Sequence, residues 1–256
     1  MNKRICSLSV WAIVFLFTLC TSANSADEMR PPPKNLDFGD ANVIFSSSVS
    51  QSRIKSDKAL GTLAKENPAV GEEAISFGFA AKSKEAKFFI IGSLYSEALA
   101  FLRSGDHEQA AKRLEAIEKE FIRLSVPSSL YNYVSKTRHL VSRQKYAADV
   151  LVEYLCLFQP FFEDYAKGIS ADMLTLFRAG TWLVDTSLAA AAGDKSVLRQ
   201  HAQLNHIIKE MKRMDAPKGV LKALDNIAEI TKKKEISDRD TKKVLKLVKK
   251  IQTILG

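Results

Sequence analysis

The residues best suited to catalysis or metal binding are spread through this chain without the spacing that such chemistry needs. Of its four histidines, the closest pair is His201 and His206, which a helix would turn about 140° away from each other. The sequence has no His-Glu-x-x-His motif, no paired cysteines and no haem-attachment motif. It also lacks a nucleophile elbow and a phosphate-binding glycine loop. We therefore expect a non-enzymatic protein with no catalytic residues, metal or cofactor.

A haem held by methionine and histidine inside a bundle is the alternative, with Met173, Met211 and Met214 as candidate ligands. Methionines at helical spacing more often belong to a core. Cys156 lies in an apolar helical context, where the role of a small buried hydrophobe is more frequent than that of a reactive thiol.

Charge is the sharper signal, and it is concentrated near the C-terminus. Residues 231–256 contain nine basic and three acidic side chains, within a chain whose net charge is +9. A last helix is predicted from Asp238 to Leu255, with its apolar residues on one side. The other side carries five lysines: Lys242, Lys243, Lys246, Lys249 and Lys250.

This amphipathic pattern supports two hypotheses. The helix can lie on an anionic membrane surface or an acidic partner, through its lysines. Alternatively, its apolar side completes a helical bundle and the lysines face water. The region has no aromatic residue and the rest of the exported chain is nearly neutral, so the sequence argues against a nucleic-acid partner.

The N-terminus is typical of a secretory signal. Lys3 and Arg4 precede an apolar run, Ile5 to Leu19, which is followed by small residues up to Ala26. The run is short for a spanning helix, although an uncleaved anchor is the alternative. We predict a signal peptide over residues 1–26 and an exported, periplasmic protein, in which no internal disulfide is possible.

The rest of the chain is predicted to form an arm and two helical modules. Residues 27–66 are rich in proline and serine and predict a poorly ordered arm. Helical periodicity begins at Asn67-Pro68, with a short helix predicted from Glu72 to Ala81. We place the first module at residues 67–169 and the second at residues 170–256.

An internal repeat is the basis for this division. Six residues between Phe89 and Asp106 recur 88 residues later, and five between Glu120 and Pro127 recur 90 residues later, in identical or similar form. Such spacing is typical of a duplicated unit, although any two amphipathic hairpins share turn residues. Glycine inside a helix costs about 1 kcal/mol. We therefore expect a close helix crossing at Gly92 and its counterpart Gly180.

Each module is predicted to contain four helices. The first helix runs from Lys84 to Ser104 with one apolar face and ends at Gly105, after which Asp106 and Gln109 form a capping box. The fourth, Lys145 to Phe158, is apolar almost all round, so it is predicted to be the most buried and to kink or end at Pro160. In the second module, one helix is predicted from the Gly193-Asp194 turn to about Met214.

The turn between the first two helices resembles a tetratricopeptide repeat. The residues that match that family's large, small, aromatic and turn positions are Leu94, Ala98, Phe101, Gly105, Asp106, Ala110 and Leu114. Glu97 and Ile122 depart from the pattern, and a 34-residue period does not continue beyond this match of about 30 residues. The resemblance implies antiparallel helical hairpins and a protein- or peptide-binding role.

The sequence thus predicts an all-α protein of two tandem four-helix modules built from tetratricopeptide-like antiparallel hairpins. Its expected role is that of an exported scaffold or accessory protein that binds another envelope protein or peptide. The alternative is a peripheral protein that binds an anionic membrane through the five C-terminal lysines.

Overall fold

The computed structural model describes residues 45–52, 54, 60 and 83–255, and all regular secondary structure in this part of the chain is helical. The described residues belong to one compact unit that spans residues 42–256. The all-α prediction is therefore confirmed. In chain order the helices are α1 (Ser47–Ser52), α2 (Lys84–Arg103), α3 (His107–Leu124), α4 (Ser128–Arg143), α5 (Ala148–Cys156), α6 (Phe158–Ile169), α7 (Ala171–Ala192), α8 (Lys195–Leu198), α9 (His201–Arg213), α10 (Lys218–Thr231) and α11 (Asp238–Leu255).

Helices α2 and α7 form the centre of the fold and pack against each other over a long interface. Every side chain of α2 from Phe88 to Leu102 is buried, and α7 is buried almost as completely. The prediction of a single apolar face underestimates how much of α2 is buried, because Ser93, Ser96 and Glu97 are buried as well. A helix that is enclosed on all sides needs partners for such polar groups.

The crossing expected at Gly92 and Gly180 is confirmed. A β-carbon built on Gly92 would lie 2.1 Å from the carbonyl oxygen of Phe177. One built on Gly180 would lie 2.2 Å from the carbonyl oxygen of Phe89. Each glycine therefore abuts the backbone of the other helix, at a distance that no larger residue tolerates. This close approach accounts for glycine in the middle of both helices.

The flanking helices follow the same order in both halves of the chain. Helix α3 packs on α2 and α4 packs on α3, while α9 packs on α7 and α10 packs on α9. After each central helix comes a glycine in the left-handed conformation, Gly105 at φ 79° and Gly193 at φ 70°. The division into two modules stays a prediction.

The second half departs from the first after its glycine turn. Asp106 caps α3 by accepting a hydrogen bond from the amide of Gln109, and α3 continues unbroken. Asp194 caps α8 in the same way, but α8 ends at Leu198 and a new helix begins at His201. The single helix predicted there is therefore wrong. The break lies where the offset of the repeat changes from 88 to 90 residues.

The predicted helix from Lys145 to Phe158 is shorter and less buried than expected. Helix α5 covers Ala148–Cys156, and α6 begins at Phe158. Pro160 does not end a helix but lies in the first turn of α6, where its missing N–H has no helical acceptor to lose. The buried residues of α5 are only Leu151, Val152 and Leu155. The most buried helices are α2 and α7 instead.

Part of the segment 27–66, predicted as a poorly ordered arm, docks on the helical body. Its buried side chains include Phe45, Gln51, Ile54 and Leu60. The amide nitrogen of Gln51 donates to the carbonyl of Ser96 at 2.9 Å and to the carboxylate of Asp185 at 3.0 Å. Residues 45–52 are therefore docked on the body, with a short helix at Ser47–Ser52, where a poorly ordered arm was predicted. The predicted helix from Glu72 to Ala81 lies outside the described residues.

Candidate interaction surfaces

Polar contacts fix the start of helix α11. The carboxylate of Asp240 pairs with Lys233 at 2.6 Å and accepts a hydrogen bond from the backbone N–H of Ser237 at 3.0 Å. Lys233, and then Ser237, hold the pKa of Asp240 below its ordinary value. After Asp240 the helix has no acidic residue. The charge of the rest of α11 is therefore entirely positive.

The five predicted lysines form one exposed surface on α11, which we call the lysine face. Lys242, Lys243, Lys246, Lys249 and Lys250 are all exposed, and none has an ion pair with a described residue. The opposite side of the helix is buried against α7 and α10 through Thr241, Val244, Val248 and Ile251. The apolar side of α11 therefore belongs to the core. The side of α11 that a partner can contact is therefore the charged lysine face.

A second surface lies on the outside of α5 and α6, where the sequence had predicted no interaction site. Leu157 between the two helices keeps helical dihedral angles, φ −67° and ψ −21°, so helical spacing continues through the junction. Three large apolar side chains at that spacing, and Tyr146 in the bend before α5, are 49–56% exposed. They form the apolar patch: Tyr146, Val150, Leu157 and Phe161.

An aromatic base supports the apolar patch. The rings of Tyr133 and Tyr154 stack at 5.0 Å with an interplanar angle of 3°, and Phe161 meets Tyr133 edge-on at 6.3 Å. The hydroxyl of Tyr133 donates a hydrogen bond to the backbone carbonyl of Tyr154. Burial, with smaller contributions from Tyr154 and Cys156, raises the pKa of Tyr133 to about 12. The base of the patch is thus held by ring contacts and a hydrogen bond, and it is uncharged at neutral pH.

Three exposed carboxylates border the apolar patch. Asp149, Glu153 and Asp164 are exposed on α5 and α6, and none has an ion pair with a described residue. At 100° per residue, Glu153 and Asp164 fall on the same side of the helix axis as Val150 and Phe161. We call these three residues the acidic rim. The patch and its rim together offer apolar contact and unpaired negative charge.

Inside the fold, the polar residues of the repeat pair with different partners. Glu97 forms a buried ion pair with Arg113 of α3 at 2.6 Å. Its counterpart Asp185 accepts hydrogen bonds from the Ser96 hydroxyl at 2.6 Å and from Gln51 at 3.0 Å. Both carboxylates are buried. Glu97 links α2 to α3, and Asp185 links α7 to α2 and to the docked segment. The departure of Glu97 from the tetratricopeptide pattern is explained by Arg113.

The remaining candidates from the sequence are not brought together. His206 packs its ring 5.5 Å from that of Phe45, at the docked segment. Met173 and Met211 are buried in the core. Among the described residues, no group of three or more histidine, cysteine or acidic side chains is placed to hold a metal ion. The lysines are thus the one predicted set that the structure gathers on a common surface.

Comparison with protein-family models, curated proteins and solved structures gives no match for this chain. Within the described residues, no helix combines the length and the apolar character needed to cross a membrane. The two surfaces are therefore the features from which a function can be inferred.

The apolar patch has a signal in the sequence. Val150, Leu157 and Phe161 follow one another at seven and four residues, which places them on one helical side. The same side carries the charged residues Glu153 and Asp164, and charge is depleted on a buried side. This coincidence predicts an apolar surface bordered by charge and open to solvent.

Proposed function

We propose that this chain is an exported, non-enzymatic scaffold or accessory protein that binds another envelope protein or peptide. The binding surface is the apolar patch, and the partner is a protein segment whose apolar side chains are flanked by lysine or arginine. Export to the periplasm is part of the proposal, and its support is the N-terminal pattern of Lys3, Arg4 and the apolar run after them.

The single observation that carries this proposal is the exposure of four large apolar side chains on one surface. Exposed large hydrophobic residues that occur singly need no explanation, but a contiguous group bordered by polar residues is typical of a protein-binding site. Phe161 and Tyr146 add aromatic area, which contributes most to binding energy at protein interfaces. The rigid stack of Tyr133 and Tyr154 beneath them limits the entropy lost on binding.

Charge complementarity defines the partner. Asp149, Glu153 and Asp164 are exposed carboxylates that form no ion pair with a described residue. Basic side chains beside an apolar segment would pair with them and would be steered toward the surface. An acidic segment would be repelled. The proposal therefore commits to a basic and apolar protein segment.

The test compares three forms of the tagged full chain in a pull-down from the envelope fraction of the cells that produce it. The first is the wild type, and the second is the double variant Leu157→Ser/Phe161→Ser. The third is the control Ile122→Ser, which removes an isolated side chain that is 65% exposed on α3. A protein captured by the wild type and the control, and lost with the double variant, supports the proposal.

A second arm of the same experiment reverses the rim charge with Glu153→Lys/Asp164→Lys. Capture of the same protein should be weaker in this variant than in the wild type. For the wild type, capture should also weaken as the salt concentration is raised. Equal capture by all forms, or capture that depends on Ile122, would refute the apolar patch as the binding surface.

The lysine face favours a second candidate function, the binding of an anionic membrane surface. Five exposed lysines without acidic partners each contribute about 1 kcal/mol near a negatively charged bilayer. Because the apolar side of α11 is buried, this binding would be electrostatic and reversible by salt. Vesicles of phosphatidylglycerol and phosphatidylcholine test it by co-sedimentation. The variant Lys242→Gln/Lys246→Gln/Lys249→Gln should lose binding, whereas binding that survives both this variant and high salt contradicts it.

A further inference from the structure

A cavity of about 170 Å³ lies where the docked N-terminal segment meets helices α5 and α6. Phe45 and Ser46 form one wall, and Cys156, Gln159 and Pro160 form the other. Pro160 is exposed and Cys156 and Ser46 are half-buried, so the cavity opens to solvent. Neither the apolar patch nor the lysine face includes it.

The floor of the cavity is Tyr95, whose hydroxyl has no hydrogen-bond partner among the described residues. Tyr95 is 0% exposed. A buried hydroxyl without a partner is unfavourable, and each such group in a folded protein needs an explanation. Burial above all, then Cys156, Asp185 and Glu163, raises the pKa of Tyr95 well above its ordinary value. The hydroxyl is therefore protonated and able to donate.

The charges around the cavity are already balanced. The Glu163 carboxylate on its wall pairs with Arg178 and accepts a hydrogen bond from the Gln159 amide at 2.8 Å. The guanidinium of Arg178 also lies over the ring of Phe45, 5.2 Å from its centroid. A charged occupant would thus find no free counterion. An anion would in addition be repelled by Glu163.

The geometry points to a binding site for a small uncharged organic molecule with an apolar body and an oxygen that accepts a hydrogen bond from Tyr95. The cavity volume is close to the roughly 150 Å³ that holds a benzene ring in an engineered protein cavity. Phe45 and Pro160 supply apolar contact, and Tyr95 supplies a donor that has no partner among the described residues. Because Tyr95 is fully buried, the proposal requires its side chain to shift toward the cavity when the site is occupied.

Three probes of similar size test this site on the full chain by saturation-transfer nuclear magnetic resonance titration. Acetophenone carries an uncharged accepting oxygen, ethylbenzene lacks it, and benzoate adds a negative charge. Acetophenone should bind the wild type more tightly than either of the others. Tyr95→Phe should weaken acetophenone about tenfold, to the level of ethylbenzene. Tyr131→Phe, on α4 and outside the cavity, is the control and should change nothing.

A second pair of measurements separates binding from folding. Cys156→Leu fills the cavity and should abolish binding of all probes while the circular dichroism spectrum is retained. Ser46→Leu fills it from the opposite wall and serves if the first variant does not fold. Tyr95→Phe should not lower the melting temperature, because it removes an unpaired hydroxyl.

Three results would overturn the inference. The first is the absence of probe binding, which would leave water as the only occupant. The second is equal binding of acetophenone and ethylbenzene. The third is a loss of stability in Tyr95→Phe without any effect on the probes, which would mean that the hydroxyl has a partner within the protein.

Discussion

The pair α5–α6 follows α4 in the chain and α11 follows α10, yet the two present opposite surfaces. Helix α11 is unbroken, buries its apolar side through Val244 and Val248, and exposes lysines. The pair α5–α6 is interrupted at Leu157 and exposes apolar side chains beside carboxylates. One surface is basic and charged, and the other is apolar with an acidic border.

The difference shows that an amphipathic pattern does not by itself tell which residues meet a partner. On α11 the apolar residues form one stripe, and α7 with α10 covers most of it, although Ile254 near the end of the helix is 36% exposed. On α5 the apolar residues surround the helix, and its neighbours cover only Leu151, Val152 and Leu155. Apolar residues beyond what neighbours can cover remain open, and these form the candidate protein-binding surface.

The largest effect on stability is expected from an aspartate placed on the covered side of α11, and the same substitution on the open side of α5 is its control. Val248→Asp buries a carboxylate without a partner and should lower the free energy of unfolding by about 4 kcal/mol or abolish folding. Val150→Asp, at a residue that is 49% exposed, should change it by about 0.5 kcal/mol or less. Urea denaturation followed by circular dichroism measures both. Similar losses in the two variants would contradict the assignment of covered and open sides.

The second prediction concerns the interface between α2 and α7, against which both regions pack. Gly92→Ala places a methyl group against the Phe177 backbone and should destabilise the protein by about 2 kcal/mol or more. Gly168→Ala in α6 is the matched control. A β-carbon there has no atom within 4 Å, so this change should stabilise by about 0.5–1 kcal/mol. Thermal melting gives the comparison, and a neutral Gly92→Ala would disprove the tight crossing.

A third effect is expected at alkaline pH, at the base of the apolar patch. The folded-state pKa of Tyr133, about 12, lies above its ordinary value of 10. The protonated phenol therefore favours the folded state fully below pH 10, and this contribution is lost as pH rises toward 12. Stability should fall more steeply above pH 10 in the wild type than in Tyr133→Phe. Urea melts at pH 9 and pH 11 measure the difference, and parallel curves would refute it.

The smallest effect is expected from single charges on the two surfaces. Lys246→Gln on the lysine face and Glu153→Gln on the acidic rim should each leave the free energy of unfolding within about 0.5 kcal/mol, because both side chains are exposed and unpaired. Their effects on binding should differ, since the first weakens vesicle binding and the second weakens capture of the protein partner. A stability change above about 1 kcal/mol in either would indicate an ion pair.

Several features of the fold could be predicted because their causes are local. A left-handed turn favours glycine, which locates Gly105 and Gly193, and an aspartate after such a turn predicts the next helix start. The paired glycines of the repeat predicted the central crossing, since glycine in mid-helix needs a packing reason. The lysine face followed from helical spacing alone. The signals for the turns, the caps and the lysine face are local, whereas the crossing was predicted by comparing two positions 88 residues apart.

Other features depend on residues that are distant in sequence and could not be found in this way. Gln51 and Asp185 are 134 positions apart in the sequence, so no local pattern around either residue predicts that they are hydrogen-bonded. The serine-rich composition of that segment favours disorder, and only the burial of Phe45 and Gln51 against the helical body offsets the entropy lost on ordering it. The partial exposure of α5 likewise depends on how many neighbours pack against it.

The sequence by itself determined that the chain is helical, where its glycine turns and central crossing lie, and which side of the last helix carries charge. These follow from backbone conformation and from the 3.6-residue period, which act locally. Only the tertiary structure decided which apolar sides are covered, which carboxylates are paired and where a cavity remains. Burial is a property of the neighbours that pack against a residue, and the chain brings those neighbours together only when it folds.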